Sequence, residues 1–422
     1  MSSESETTPV PGPGPGLGLG PRSWDTQCCV VGGGPAGMML GYLLACAGVE
    51  VTVLEKHADF FRDFRGDTIH PATTDILAEL GLLEEFLSLP HTEIPELRLG
   101  IDGQTFGLVD FRHLPSRCKF MAFMPQWDFL TFLATQARQY PTFRLEMSTE
   151  ATGLLRHGEQ VIGVRARTPQ GEVEIRADLT VACDGRFSLI REHADLPLRE
   201  FAMPIDVLWF RVPRSEDAPP TLGYLGGGQI VLAIDRGDYW QCGTIIGKGT
   251  LPQVQAAGLA AFRDRVARAA PFLAAGLAAL TDWDQIKLLS VRSNRLRRWC
   301  EPGLLCIGDA AHAMSPAGAA GVNYAIADAV ATANHLAVPL RTGTIAVADL
   351  QRVQRRREPA VRIAQALQRQ QTRQLARLAQ NNPPVQLIRL ISHTPLVKRL
   401  LGRIVGLGFR REHTHSPHLT NH

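Results

Sequence analysis

Three glycines, Gly32, Gly34 and Gly37, separate a short apolar run, Thr26–Val31, from an apolar segment, Met38–Ala47. The run is β-compatible and the segment is helical in character, with Gly48 placed as its C-cap. Val49–Leu54 reads as a second strand that ends at Glu55. Strand, turn, helix and strand within about thirty residues make a βαβ unit, which commits the chain to an α/β fold with parallel strands. Each glycine answers a separate demand. Gly32 permits the tight turn, Gly34 lets the backbone approach a pyrophosphate, and Gly37 lets the helix pack close to the sheet. With Pro35 and Ala36 between them, they would hold a dinucleotide pyrophosphate at the positive end of the helix. Glu55 lies 23 positions after Gly32, where a carboxylate accepts hydrogen bonds from ribose hydroxyls. Lys56 beside it is a further candidate cofactor contact.

A chain of 422 residues has room for two or three domains. Lys+Arg 44 against Asp+Glu 41 leaves a net charge of +3, which argues against a nucleic-acid partner. None of the eight cysteines forms a C-x-x-C pair, so neither a zinc centre nor a dithiol centre is expected. Several stand in apolar runs, where a thiol packs as a small hydrophobe. Ten of the thirteen residues from Pro9 to Pro21 are Pro or Gly, so residues 1–23 read as a disordered leader. That leader lacks the charged and apolar regions of a signal peptide. No apolar run reaches the roughly 20 residues of a bilayer span. The expected location is cytoplasmic. His413, His415, His418 and His422 crowd the last residues, and 412–422 reads as a solvated tail with no metal site.

Strands dominate the middle. Leu97–Ile101 and Thr105–Asp110 flank Asp102-Gly103, a hairpin signal. Gln126–Gln139 reads as a helix, and Arg144–Met147, Ala151–Arg156, Val161–Thr168 and Glu172–Ala182 read as strands. Val207–Val212, Ile230–Ile234 and Tyr239–Ile246 continue the strand character. Val254–Leu280 reads as one Ala-rich helical stretch. From Asn323 to about Leu401 the pattern is helical, with breaks at prolines.

Two more motifs carry chemistry. Gly308-Asp309 follows the strand Leu304–Ile307 and opens Gly308-Asp309-Ala310-Ala311-His312-x-x-x-Pro316-x-Gly318-x-x-Gly321-x-Asn323-x-x-x-x-Asp328. A carboxylate past a strand end accepts from a polyol chain, and amides at a helix start stabilise negative charge. Asp184-Gly185-x-x-Ser188-x-x-Arg191 also follows a strand.

In this order and spacing, the three motifs resemble the FAD-dependent aromatic hydroxylases related to para-hydroxybenzoate hydroxylase, the group A flavoprotein monooxygenases. The resemblance runs from about Gln27 to Leu350. It implies an α/β fold with a discontinuous Rossmann-like FAD-binding domain, an inserted β-sheet substrate domain and a helical C-terminus. The FAD-binding domain would comprise 24–95, 126–200 and 287–350, and the substrate domain 96–125 and 201–286. Helices would fill 351–411. Gly32, Gly34 and Gly37 would hold the FAD pyrophosphate, and Glu55 the adenosine ribose. Arg65 resembles the family arginine that contacts the FAD phosphates, and Gln126 the polar residue near the ribityl chain. Ala151 resembles a position whose backbone contacts adenine, and Asp184 belongs to a motif linked to FAD and NAD(P)H. Asp309 would bind the ribityl chain, and Gly321, Val322 and Asn323 would present amides to the flavin ring. The family often reads Gly-Gln-Gly-x-Asn there; this chain has Ala319-Ala320-Gly321-Val322-Asn323.

The activity implied uses NADPH or NADH as a transient reductant and O2 to form a flavin C4a-hydroperoxide. That species would oxygenate an aromatic or polyketide/quinone-like small molecule. No catalytic base is assigned; a lone histidine, His70, has a structural reading as well as a pocket reading. Trp209, Phe210, Tyr224, Tyr239, Trp240 and Trp283 would either line a substrate cavity or fill a sheet core. The basic segment Val385–Arg411 would either pack on the cofactor domain or make a weak membrane-surface contact. Two alternatives stay open: a reductase of isoprenoid double bonds and a non-catalytic flavin-binding module. A flavin halogenase is excluded, because no two tryptophans are spaced W-x-W.

Overall fold

In the computed structural model, residues 22–61, 67–214, 222–378 and 385–415 are described. Five strands form the parallel part of the first sheet: β1 (Arg22–Val31), β2 (Val51–Leu54), β3 (Phe143–Glu146), β4 (Gly171–Ala182) and β5 (Leu304–Cys306). Their order is β5-β4-β1-β2-β3, so the order reverses beside β1. Cys28–Val31 and Val51–Leu54 are buried along their whole length. This is the continuous apolar pattern a parallel strand needs when both faces are covered. On one face α1 (Pro35–Cys46) packs against α2 (Gly321–Arg341), joining Met38, Leu43, Ile326 and Val330 in the main core.

A seven-stranded sheet stands apart from this layer. Its order is Lys287–Leu289, Ile205–Pro213, Tyr239–Gly247, Gln229–Asp235, Gly223–Gly226, Glu96–Ile101 and Gln104–Asp110. Alternation along Ile205–Pro213 divides its faces. Leu208, Phe210 and Val212 join a cluster with Phe262 and Val266 on the outer face. Val207 and Trp209 point to the other face. A long helix, α3 (Val347–Leu378), then returns along α2 and is followed by α4 (Val385–Ser392) and α5 (Pro395–Leu407).

Several expectations are corrected. β1 begins at Arg22, because Arg22–Thr26 pair in parallel register with Val173–Ala177, so 22 and 23 belong to a strand and not to the leader. Residues 1–21 lie outside the described residues. Val254–Leu280 is divided: Leu251–Ala256 and Leu259–Ala269 are separated at Gly258, whose φ of +88° turns the chain, and 3-10 turns follow Pro271. Pro339 and Pro359 lie inside α2 and α3 without ending them. Each proline removes one backbone donor, and around Pro359 the buried Val353, Ala360, Val361 and Ala364 hold the helix in place.

The tail is also corrected. Glu412 and Thr414 are buried, and His413 pairs with Glu79. Residues 416–422 lie outside the described residues. Helices α4 and α5 pack on the strand Gln104–Asp110 of the second sheet, not only on the cofactor layer. A Cβ at Gly402 would collide with the Asp110 carbonyl, so glycine is what allows that approach. Leu387, Leu390, Leu396 and Leu400 remain exposed on their outer side. No helix among the described residues is long and apolar enough to cross a membrane. All eight cysteines are free.

Candidate active site

The strand ends of β1 and β4 lie side by side where the strand order reverses. Gly32 donates to the Leu54 carbonyl at 2.8 Å. Its φ is +108°, and a Cβ there would stand 2.5 Å from the Cys183 oxygen and 2.9 Å from the Asp184 nitrogen. Gly37 is equally constrained, since a Cβ would collide with the Gly32 carbonyl. Gly34 is different. It caps α1 at φ −76° with no side-chain cap, and the space where its Cβ would be is open. With Pro35 at N1, the amides of the first turn face that opening, and the helix dipole favours an anion there.

Glu55 sits beside this turn. Its carboxylate accepts from Gly33 N at 3.1 Å and from His57 at N (3.1 Å) and Nδ1 (2.7 Å). The Thr149 amide donates to the Glu55 carbonyl at 2.9 Å, which brings the segment leading to Ala151 to the same edge. Lys56 is exposed. Arg65 lies outside the described residues. Gln126 opens the helix Gln126–Ala137, and its backbone amide supports the Asp67 carboxylate.

The third motif closes on the first. Gly308, at φ +59°, donates to Asp328 at 3.0 Å, and a Cβ on it would stand 3.2 Å from Ala36 Cβ. That contact sets Asp309 next to the uncapped end of α1. Asp309 is half-exposed, with Arg186 at 3.5 Å. Arg191 clasps the second and third motifs together, donating to Ala310 O at 2.9 Å and Arg186 O at 3.1 Å. Asp184 uses one oxygen to hold Ile190 N at 3.1 Å, while its Oδ1 is buried without a partner. Burial pushes its carboxyl above the usual range, opposed by hydrogen bonds from Ser188 and Ile190.

At the start of α2 the helix again lacks a side-chain cap. Tyr324 is the first residue there whose amide bonds back to the helix, to Ala320 O, so the amides of Gly321, Val322 and Asn323 are left for another acceptor. Space around the Cα of Gly318 and Gly321 is open. The Asn323 side chain itself is fully engaged within the protein. Its oxygen accepts from His70 N (2.8 Å) and Thr73 Oγ1 (2.7 Å), and its amide donates to Thr68 O (3.1 Å). It anchors the loop to the strand Thr68–Ile69. His70 supports the same anchor, with Nδ1 2.9 Å from Val405 O. Burial pushes its pKa down to about 4, so the ring is neutral near pH 7.

Sequence reasoning missed two groups. Asp67, Arg236 and Gln241 form a buried link between the cofactor layer and the second sheet: Arg236 lies 2.5 Å from Asp67, and Gln241 donates to Asp67 at 2.7 Å. Asp328 accepts from His312 at 2.5 Å and Arg357 at 2.8 Å, and Arg357 reaches Glu412 at 3.0 Å. Asp328 was visible in its motif, but the residues that complete the group come from α3 and the tail. Of the six aromatics, Phe210, Tyr224, Trp240 and Trp283 pack in the outer-face cluster, whereas Trp209 packs on the inner face with Phe123 and Met121 nearby. Among the described residues no group of His, Cys, Asp and Glu could hold a metal ion.

Open space at Gly34, Gly318 and Gly321 and two helix starts without side-chain caps, tied together where Gly308 packs on Ala36 and Ala325, supply backbone donors that fit FAD. The profile of the FAD binding domain family matches residues 25–369. The chain belongs to that family. Within it, the chain is 32% identical over 383 residues to 6-methylpretetramide 4-monooxygenase of Streptomyces rimosus, covering 90% of this chain and 92% of that protein. It shares the fold of OxyS anhydrotetracycline hydroxylase from Streptomyces rimosus, at TM-score 0.72 and 21% identity, over 91% of this chain and 76% of that one. It is also similar to the Diels-Alderase PyrE3 of pyrroindomycin biosynthesis, at TM-score 0.72 and 26% identity, over 90% and 80% of the two chains. This member of the FAD-binding family is an FAD-dependent monooxygenase.

Proposed function

We propose that the enzyme uses NAD(P)H and O2 to hydroxylate an aromatic polyketide or a related fused-ring phenol. The observation that carries this reading is the likeness, over nine-tenths of both chains, to an enzyme named for oxygenating 6-methylpretetramide. The geometry supports it. The Asp67–Arg236–Gln241 link ties the parallel-sheet layer to the second sheet, and Trp209 packs on the inner face of that sheet beside Phe123 and Met121, where the substrate would lie over the flavin.

When bound, FAD supplies a ring that accepts hydride from the reductant and passes electrons to oxygen. The protein's own residues do the rest. Gly34 and the first turn of α1 would bind the pyrophosphate, Glu55 the adenosine ribose, and Asp309 the ribityl chain. The amides of Gly321, Val322 and Asn323 would stabilise negative charge at the ring edge. Apolar packing of the second sheet over the flavin would exclude water.

The relatives favour oxygenation over reduction of isoprenoid double bonds and over a non-catalytic flavin module. The test is mass spectrometry of products formed under 18O2 from FAD-loaded enzyme, NAD(P)H and a panel of aromatic polyketides. One labelled oxygen per product is expected. Product that forms with no label, with or without reductant, overturns the reading.

Exposed Leu387, Leu390, Leu396 and Leu400, with Arg389, Arg399 and Arg403 also exposed among them, support a second, weaker proposal: contact with an anionic membrane surface. Co-sedimentation with phosphatidylglycerol vesicles, lost in a Leu396→Ser, Leu400→Ser variant, is the expected result; equal recovery with neutral vesicles would refute it.

A further inference from the structure

The strand Leu198–Phe201 pairs antiparallel with Ser293–Leu296, and the register sets Arg199 directly opposite Arg295. Like charges in this position repel and destabilise the pair. Helix α3 makes the crowding worse. Glu358, Arg362, Gln365 and Arg369 follow at helical spacing along α3, and three of them are charged. Three guanidiniums surround one phenyl ring: Arg369 lies 4.2 Å from the Phe201 centroid, Arg199 5.2 Å and Arg295 5.5 Å.

One carboxylate answers this charge. Glu358 lies 2.8 Å from Arg362 and 3.7 Å from Arg295, and Gln365 accepts from Arg295 at 3.0 Å. Among the described residues, Arg199, Arg297 and Arg369 have no carboxylate partner. Burial, with Arg362, Arg199 and Arg369 adding to it, holds the Arg295 guanidinium below its usual range. Burial and then Arg199 and Arg373 do the same to Arg369. Both shifts mark a site short of negative charge.

Between the strands and α3 lies a cleft of about 330 Å³, lined by Arg199, Arg295, Leu296, Arg297, Glu358 and Arg362. We propose that this cleft binds a phosphate-bearing anion of small-molecule size. Guanidinium forks match phosphate oxygens, and four of the six lining residues, Arg199, Arg295, Arg297 and Arg362, carry them. A concave cleft of this size suits a phosphate or pyrophosphate group; a polynucleotide needs an extended basic face. Two sources carry this chemistry, the 2′-phosphate or pyrophosphate of the nicotinamide reductant and a free phosphoanion. Naming the first source rests on the monooxygenase reading; the site itself does not.

FAD-loaded enzyme is titrated with inorganic pyrophosphate by calorimetry, and with NADP+ and NAD+ by fluorescence. Saturable pyrophosphate binding is expected, weakened at least tenfold in the Arg199→Gln, Arg295→Gln double variant. Because those two side chains pack on Phe201, Arg297→Gln serves as a second variant that leaves that packing alone, and it should weaken binding several-fold. NADP+ bound at least tenfold tighter than NAD+, with that preference lost in the variants, assigns the anion to the reductant. Equal affinities with pyrophosphate binding retained assign it to a free phosphoanion. The proposal is overturned if wild-type enzyme neither binds pyrophosphate nor prefers NADP+, or if both variants bind as the wild type does. These are binding measurements, so a failure of oxygen incorporation would leave them readable.

Discussion

Glu412 lies 3.0 Å from Arg357, with both side chains almost wholly removed from water, and Arg357 in turn holds Asp328 at 2.8 Å. A residue near the chain end thus reaches the carboxylate that fixes the Gly308 amide. Burial alone would raise the Asp328 carboxyl, but His312 and Arg357 hold it below its ordinary range.

Removing one member of such a pair leaves an uncompensated buried charge, which costs about 3 kcal/mol or more. Arg357→Ala, which strips both buried carboxylates, Asp328 and Glu412, of this guanidinium, is therefore expected to lower stability by about 3 kcal/mol in urea unfolding, and a loss within about 0.5 kcal/mol, the scale of a surface substitution, would contradict the account. The sign with pH follows from the lowered Asp328 pKa. Its contribution is complete above the unfolded carboxylate pKa and disappears as pH falls through the folded one.

His70 should produce a second pH dependence. Its folded pKa is pushed down to about 4 from 6.5. The unfolded state binds the extra proton first, so stability falls as pH drops from about 6.5 towards 4. The full loss is about 3 kcal/mol. A His70→Gln variant should flatten this segment of the stability–pH curve, and an unchanged slope would rule the assignment out.

Gly34 and Gly37 should separate folding from cofactor retention. Alanine at 34 meets open space at an ordinary φ, so the apoprotein should melt as wild type does. Its methyl group would occupy the approach to the helix amides, and FAD affinity should fall at least tenfold by fluorescence titration. Alanine at 37 collides with the Gly32 carbonyl, and overpacking of this kind costs about 3 kcal/mol. Equal FAD binding by the two variants would show the turn assignment to be wrong.

Ala319 adopts φ +50°, a left-handed conformation that costs a side chain about 1 kcal/mol. Ala319→Gly is expected to raise the unfolding free energy by up to that amount, offset in part by the looser unfolded chain. Thermal unfolding checks it; a destabilised variant would mean that the methyl group packs usefully.

Asp309→Ala should release FAD more readily, since its carboxylate is the acidic group that the Gly308–Ala36 contact holds beside α1. An FAD affinity equal to wild type would remove Asp309 from the site.

Much of this was local and therefore legible. Gly32, Gly34 and Gly37 announce their turn because backbone contacts within a few residues demand glycine, and Asp102-Gly103 announces its hairpin in the same way, with φ +47° and +77°. Other features depend on partners far along the chain. Asn323 lies inside a readable motif, yet its side chain is consumed by His70 and Thr73, some 250 residues away. The tail histidines looked solvated because nothing near them in sequence reveals that Glu79 waits for His413. The aromatic residues of the second sheet could not be sorted by pattern, because only the packing of Phe262 and Val266 shows which face is the outer one.

By itself, then, the sequence determined the βαβ unit and the three motifs, since each rests on steric or electrostatic demands satisfied within a short stretch, and FAD followed from the family that the three together resemble. Tertiary structure alone decided which of those side chains stay free for a ligand, and it brought Arg199, Arg295 and α3 around one cleft. The physical reason is that charge and burial are set by what lies across space, and strand register and helix return place residues side by side that no periodicity connects.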